Sequence, residues 1–324
     1  MNCILYCSNR CLFTSESSIC LGATTVVRVA VVADRPVPPW TARQLILAFE
    51  DLGVNATYLR PSDIVSIFGR GDSRVVYSST LNDIDLNAVL LRDIGFTSTI
   101  ETLLRRINVF EHIEMLGIPV INPIRAFLKA RDKYFSLLLL DKAGIPVPRT
   151  AVVENYSAAL KVAEQWKDVV LKPLIGSMGF GAIRATSVDI VYITSRTLNQ
   201  LDQPIYIQEY IDKPNRDIRV FVVGNDIIAA YYRVQPTAEL WKTNIAQGAK
   251  AVPIERIDED LADIALRATK ILGLHYAGVD IAESKDGYVV LEVNASPNWR
   301  GLARATGINP ATHIARYVLT LLKK

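Results

Sequence analysis

Residues 172–181 read Lys172-Pro173-Leu174-Ile175-Gly176-Ser177-Met178-Gly179-Phe180-Gly181, a lysine closing a short apolar strand and then three glycines with Ser177 among them. Glycines at this density let backbone N–H groups approach phosphate oxygens, and a lysine supplies a point charge. No Gly-Lys-Ser/Thr ends the stretch, so it is not a Walker loop, and no Rossmann acid follows at the usual spacing. Alone, it fits a hairpin turn as well as a phosphate cradle. What surrounds it has to decide.

N-terminal to the loop, short apolar runs alternate with helical periods. Residues 26–33 (VVRVAVVA), 56–59, 88–91 and 118–121 read as strands, and 41–52 and 97–116 as helices closed by Gly53 and by Gly117 with Pro119. Such alternation predicts a small parallel sheet with helices on its faces. After Pro123 the rhythm changes. A helix over 131–143 stops at Gly144 and Pro146; strand 149–152, helix 157–165 and strand 169–172 lead into the loop, and strand 205–209 follows. Strands 217–223 and 227–233 flank Gly224-Asn225-Asp226, a turn of strong hairpin chemistry. A helix over 257–272, a hairpin of 276–283 and 288–294 about Asp286-Gly287, and a helix over 310–322 complete the chain. The expected architecture is α/β followed by two α+β units, over 26–122, 123–207 and 208–324.

The last hairpin carries the acids. Glu292 and Asn294 are two apart and leave one strand face, and Asp280 lies across the hairpin from them. Two carboxylates and an amide oxygen gathered there are costly without a counter-ion, and hard oxygen donors suit Mg²⁺ that also binds substrate phosphates. Surface acids are the plainer alternative, but they require that whole face to be exposed. Ala277, Val279, Ile281, Leu291 and Val293 cover the opposite face. Between loop and acids stand Asp217 and Arg219 on one strand face, then Arg233, then Lys242-Thr243-Asn244. Cations around a shared cavity stabilise a transferring phosphoryl group, although each alone is an ordinary solvated strand charge. Together these groups point to an enzyme that uses a nucleoside triphosphate.

In this order, Lys133, Lys172 with GSMGFG, Gln208-Glu209-Tyr210-Ile211, Asp217-Ile218-Arg219, Arg233, Asn244, Asp280 and Glu292-Val293-Asn294 resemble the ATP-grasp fold. Within it the chain is similar to the RimK-type amino-acid ligases from about residue 29 to 322, including a closing GLARATGINPATHIARYV. The resemblance implies an ATP-dependent carboxylate–amine ligase that forms an amide through an acyl phosphate. It implies that Lys133 and Lys172 contact the α- and β-phosphates, while the loop bearing Gly176, Ser177, Gly179 and Gly181 folds over the triphosphate. Glu209 and Tyr210 would form the hinge that meets adenine, largely through backbone groups, while Asp217 would meet the ribose, and Lys242 and Asn244 the phosphates. Lys242 stands where RimK-type enzymes have Arg, which keeps charge but loses the bidentate fork. Asp280, Glu292 and Asn294 would hold two Mg²⁺, with Mn²⁺ able to substitute, and Arg219 and Arg233 would be the catalytic cations.

After Asn294 the chain reads Ala295-Ser296-Pro297-Asn298-Trp299-Arg300-Gly301. It is similar to the bacterial ligases that add glutamate to a ribosomal protein only as far as Pro297, and ligases of the amino-group carrier protein of lysine biosynthesis differ just after the Asn. The Trp-Arg-Gly variant looks more like archaeal enzymes that add glutamate to tetrahydromethanopterin or to the deazaflavin coenzyme. Arg300 could bind a substrate carboxylate and Trp299 stack on a ring, or both could serve structure. Arg35, Trp40 and Arg43 follow the first strand and Arg92 ends a later one, where α/β sheets bind ligands. The implied reaction joins L-glutamate to a carboxylate-bearing coenzyme. A protein tail or amino-group carrier protein is the alternative acceptor, and a nucleotide-binding regulator without ligase activity the remote one. The implied partners are a small-molecule amino acid and a carboxylate acceptor, with a homodimer or homotetramer as the assembly.

Composition agrees. The chain has 324 residues, half of them hydrophobic and 21% charged, which excludes disorder and predicts two or three packed units. With 36 basic and 33 acidic residues, net +3, nothing argues for nucleic acid or a membrane surface. No apolar stretch approaches the roughly 18 residues of a spanning helix, and a cytoplasmic location is expected. All four cysteines, Cys3, Cys7, Cys11 and Cys20, lie in the first twenty residues. They suit neither a disulfide staple nor a zinc knot, and Thr14 to Ser18 interrupt any signal-peptide core. Residues 1–25 are expected to be a loosely ordered or mis-started leader, so that a chain starting at Val26 or Val27 folds and ligates normally.

Overall fold

The computed structural model describes residues 27–95, 99–174, 176, 181–235, 243 and 248–323. Its first sheet contains β1 (Arg28–Val32), β2 (Asn55–Leu59), β5 (Ala88–Leu91) and β6 (Val120–Ile121), all parallel in the order β2-β1-β5-β6. Helices α1 (Trp40–Glu50) and α2 (Ile100–Met115) connect its strands. Both β1 and β5 are apolar on each face because each is covered twice, as in any parallel sheet. Their carboxyl ends, at Ala33 and Arg92, therefore meet at one sheet edge.

Between β2 and β5 the chain makes a hairpin that the sequence pattern does not announce, β3 (Ile64–Gly69) and β4 (Asp72–Tyr77). Arg70 and Gly71 both have positive φ, as a two-residue hairpin turn requires. The helix expected over 131–143 is α4 (Lys133–Lys142), and a separate helix that the sequence pattern does not announce, α3 (Ile124–Arg131), precedes it. Asp132 leaves helical geometry between them, and its carboxylate accepts from the backbone N–H of Tyr134 and Phe135 at 2.9 and 3.1 Å. That cap makes Lys133 the first residue of α4.

The middle sheet, β7-β10-β8-β9, is built from β7 (Thr150–Val153), β8 (Val169–Lys172), β9 (Ile183–Ala185) and β10 (Ile205–Glu209). With α5 (Tyr156–Trp166) and α6 (Val188–Gln200) it encloses its own small core of Ala159, Val169, Leu171, Ile205 and Ile207. The third sheet, β13-β12-β11-β14-β15, contains β11 (Arg216–Val223), β12 (Asp226–Val234), β13 (Lys250–Pro253), β14 (Tyr276–Ser284) and β15 (Gly287–Asn294). Helices α7 (Glu259–Ile271), α8 (Arg300–Thr306) and α9 (Pro310–Leu322) follow or separate its strands. No helix among the described residues is long and apolar enough to cross a membrane.

The first and third sheets share their cores. Val29, Leu45, Phe49 and Leu90 pack with Phe221, Tyr276, Trp299, Leu302 and Ile314, and the closing helix α9 lies in this cluster with α1. Asn122 latches the two units together. It is fully buried; its amide N–H groups donate to the carbonyls of Tyr276 (2.9 Å) and Ala295 (2.7 Å), and its Oδ1 accepts from the N–H of His275 (2.6 Å) and Tyr276 (3.1 Å). Asn122→Ala strands these buried backbone groups, and an expected loss of about 2–4 kcal/mol follows. Urea denaturation checks it: a loss within experimental error would show that the latch does not join the sheets.

Candidate active site

Four charged side chains form a buried lattice across β12, β11 and β14. Strand register brings Asp217 opposite Arg233 and Arg219 opposite Asp280. Arg233 donates Nε to Asp217 Oδ1 at 2.6 Å and Nη2 to Oδ2 at 2.9 Å, and Nη2 also lies 3.0 Å from Asp280 Oδ2. Arg219 donates Nη2 to that same Oδ2 at 2.7 Å and Nε to Oδ1. Their exposures run only from 2% to 9%. Each buried ion would cost several kcal/mol alone; two of each sign, forked together, offset that cost. Burial pushes the Asp280 carboxyl up, but Arg219 and Arg233 outweigh it and hold the group below the ordinary carboxylate range. Burial likewise opposes the charge on Arg233, yet Asp217 and Asp280 leave its pKa above the ordinary value. Gly278 makes room for the lattice, since a Cβ there would lie 2.7 Å from Pro297 Cβ and 3.2 Å from Arg219 Cδ.

A bulge completes the acid set. Asp280 pairs with Glu292 and Gly278 with Asn294, but Ile281 pairs with Val290, so Leu291 is an extra residue in β15. Without it Leu291 would stand opposite Asp280. Lys133 Nζ lies 3.9 Å from Glu292 Oε1 and donates to the Gly176 carbonyl at 3.0 Å. Lys172, at the end of β8, donates Nζ to Gln208 Oε1 at 2.6 Å. The structure thus brings Lys133, Lys172, Gly176 and Glu292 toward one another. Burial depresses the Lys172 ammonium to about 8, with Glu292 opposing the shift and Lys133 reinforcing it.

Above the lattice opens a cavity of about 890 Å³. The carboxyl ends of β1 and β5 contribute Arg35, Arg92 and Asp93; the third sheet contributes Arg219, Arg233, Asp280, Glu292 and Asn294. Arg131, Lys250, Arg300 and Arg304 close it. Its described lining holds eight cations and three carboxylates. Sequence reasoning misses Arg131, Lys250 and Arg304. Arg300 and Arg304 are one helical turn apart on α8, a spacing that could have exposed the pair.

Several expected roles need correction. Trp299 is fully buried among Trp40, Phe221 and the guanidinium of Arg92, which lies 4.7 Å over its ring. It has no face to offer a substrate. Arg92 lines the cavity while donating Nη1 to the Tyr276 hydroxyl at 3.0 Å and Nη2 to the Pro297 carbonyl at 2.7 Å, contacts that brace the cavity floor. Asp217 is spent on Arg233 and on the Thr243 hydroxyl and presents no oxygen to a ribose. Glu209 turns its carboxylate to the N–H and Nε of Arg149, at 2.9 and 2.6 Å, and the Tyr210 N–H donates to the Asp168 carbonyl at 2.9 Å, ties that do not bear on the expected backbone contacts with adenine. Arg300 does border the cavity, its guanidinium 5.1 Å over the Trp40 ring. Gly181 ends the loop at φ +76°, where a Cβ would lie 2.9 Å from Pro173 Cγ, while Ser177, Gly179, Lys242 and Asn244 lie outside the described residues.

The RimK-like ATP-grasp domain matches residues 130–318, more than half of the chain. The chain belongs to this family. Its sequence is 34% identical over 310 residues to the tetrahydromethanopterin:alpha-L-glutamate ligase of Methanocaldococcus jannaschii, covering 94% of this chain and 99% of that one. It is 30% identical to the alpha-aminoadipate–LysW ligase LysX of Saccharolobus solfataricus, covering 89% and 100%. The fold is shared with the ATP-grasp ligase PsnB solved with its minimal precursor, Mg and ADP, at a TM-score of 0.70 and 21% identity over 91% of this chain and 98% of that one. The RimK domain ATP-grasp protein of Sphaerobacter thermophilus shares it at 0.67 and 24% identity, over 90% and 99%. This is an ATP-grasp ligase with one parallel sheet and antiparallel sheets.

Placed against an ATP phosphate, as the resemblance implies, Lys172 would give this ATP-grasp enzyme a pH dependence. Only its ammonium form attracts phosphate, so above about 8 the free protein must take up a proton to bind ATP. The ATP Kd is expected to rise by about tenfold per pH unit above that point, and Lys172→Met should flatten the slope. Titration calorimetry from neutral to alkaline pH checks it; a wild-type slope identical to that of the variant would contradict the assignment.

Proposed function

We propose that this chain activates a carboxylate with ATP and joins it to the amine of L-glutamate, the acceptor being a carboxylate-bearing coenzyme. The cavity carries the reading: eight described cations against three carboxylates, beside two lysines and an acid–amide set, suit a substrate rich in negative charge. Relatives that span nearly the whole chain and are named for glutamate ligation to tetrahydromethanopterin support it.

A carboxylate is a poor electrophile, because oxide is a prohibitive leaving group. One of its oxygens attacks the γ-phosphorus, ADP leaves, and the product is an acyl phosphate. The amine nitrogen then attacks the acyl carbon, the C–O bond to phosphate breaks, and nitrogen loses a proton as the amide forms. Arg219 and Arg233 commit Nε and Nη2 to the lattice, which leaves Nη1 of each uncommitted among the described residues. Held in place by Asp217 and Asp280, those donors can stabilise the acyl phosphate and the tetrahedral intermediate with little reorganisation. No protein nucleophile is required; positioning and electrostatics do the chemistry.

The donor set fits Mg²⁺. Glu292 presents a carboxylate beside Lys133, and Asn294 leans its amide N–H group toward the Gly278 carbonyl at 3.4 Å, which leaves Oδ1 to a cation. Asp280 can join them only by exchanging an arginine. Among the described residues no three His, Cys, Asp or Glu side chains form a ready-made cage, so substrate phosphates would complete the coordination. When bound, Mg²⁺ would neutralise and orient the phosphates.

The LysX relatives favour a second reading, in which the acceptor carboxylate lies on a carrier protein and the amine comes from an amino acid such as α-aminoadipate. Mass spectrometry after incubation with ATP, Mg²⁺, L-glutamate and tetrahydromethanopterin decides. Gain of a glutamyl group by the coenzyme, with phosphate release requiring both substrates, supports the proposal; phosphate release independent of either one refutes it. Glu292→Gln should reduce kcat on the order of a hundredfold with an unchanged melting curve. An unchanged kcat and Mg²⁺ dependence would remove Glu292 from the metal site.

A further inference from the structure

The cavity repels part of its own substrate. An α-amino acid brings carboxylates that its arginines attract and an ammonium that they push away. The nitrogen nevertheless has to come to rest beside the activated carbon, so an anion must receive it. Among the described residues three carboxylates line the cavity, and two have other partners: Asp280 is clamped by Arg219 and Arg233, and Glu292 faces Lys133 among the groups that suit a cation. Asp93 is the third.

Asp93 follows β5 at the carboxyl edge of the first sheet, where Ala33 and Arg35 also border the cavity. It is half-buried, and among the described residues its carboxylate makes no ion pair within 4 Å, although its charge acts on the Arg131 guanidinium; Oδ1 accepts from the Gly95 N–H at 2.8 Å. The neighbouring cations have other fixed contacts. Arg92 is drawn to Tyr276 and Pro297, and Arg131 donates to the Gly95 carbonyl at 2.6 Å. Arg106 holds the turn from behind, donating to the Ile94 carbonyl at 2.7 Å and to Asp34 at 2.8 Å. Gly95 has φ of +90°, and a Cβ there would lie 2.1 Å from Arg106 Nη1. The turn from Asp93 to Gly95 is therefore braced on both sides, which fixes one anionic group at the wall of a cationic space.

We infer that Asp93 receives the α-ammonium group of the incoming amino acid and so positions the nitrogen before it attacks. This rests on the ligase reading above. It assigns Asp93 a binding role; the proton lost on amide formation is not assigned to it.

The test is Asp93→Asn, which keeps an acceptor for the Gly95 N–H while removing the charge. With tetrahydromethanopterin as acceptor, the KM for L-glutamate is expected to rise by about 10- to 100-fold, the loss of a charge-assisted hydrogen bond, with the KM for ATP within about twofold. Hydroxylamine, a small amine that is neutral at neutral pH, needs no ammonium anchor. It should still trap the activated acceptor as a hydroxamate, its rate falling by at least tenfold less than the glutamate rate. Asp93→Glu should restore part of the glutamate KM. An unchanged glutamate KM, or equal losses with glutamate and hydroxylamine, would overturn the assignment. Absence of hydroxamate from the unaltered chain would instead refute the ligase reading, and the assignment would go with it.

Discussion

Asp217, Arg233, Asp280 and Arg219 bind one another in sequence across three strands of one sheet, and removing any one leaves the other three with one buried charge uncompensated. This lattice sets the rest of the site. It holds two arginines in rigid orientation under the cavity while keeping Asp280 ionised in a dry place. Apolar side chains of similar size could pack the same floor at less cost in desolvation. The lattice therefore makes sense as a device for fixed positive charge where negative charge develops during reaction.

The scaffold brings two kinds of surface to that floor. Asn122 and the shared apolar clusters weld the first sheet to the third, so the arginines of the first sheet's edge and those of α8 face a common space. The middle sheet has a core of its own and carries Lys172 and the start of the glycine loop. Lys133 crosses between them, touching both the Gly176 carbonyl and the neighbourhood of Glu292. A triphosphate between middle and third sheets and an acceptor between first and third would meet at Asp280, Glu292 and Asn294.

Much of this was legible in the sequence because it depends on local pattern. Strand β8, strand β10 and helix α9 lie where apolar runs and turn residues put them, and the hairpin of β14 and β15 follows from its turn, whereas the pairing of Asp280 with Glu292 also needs the bulge at Leu291. The start of α4 was also written locally, in an aspartate placed to cap Lys133–Lys142, although the expected helix began one residue before it, at Arg131. Other features depend on tertiary contact. Nothing near Trp299 announces that Arg92, more than two hundred residues away, covers its ring. Nor does Asp217 show, one residue at a time, that Arg233 and Thr243 will consume its oxygens. Lys250 enters the cavity only because β13 pairs at the edge of the third sheet.

The chemistry assigned to this cavity is activation of a carboxylate by phosphoryl transfer, with fixed cations rather than a protein nucleophile stabilising the product. Oxygen tracing is the direct examination. An acceptor labelled with ¹⁸O in its carboxylate, incubated with ATP, Mg²⁺ and L-glutamate, should deliver one labelled oxygen to inorganic phosphate for each amide formed. Unlabelled phosphate, or label appearing in AMP, would contradict an acyl phosphate and with it the stabilising role of Arg219 and Arg233.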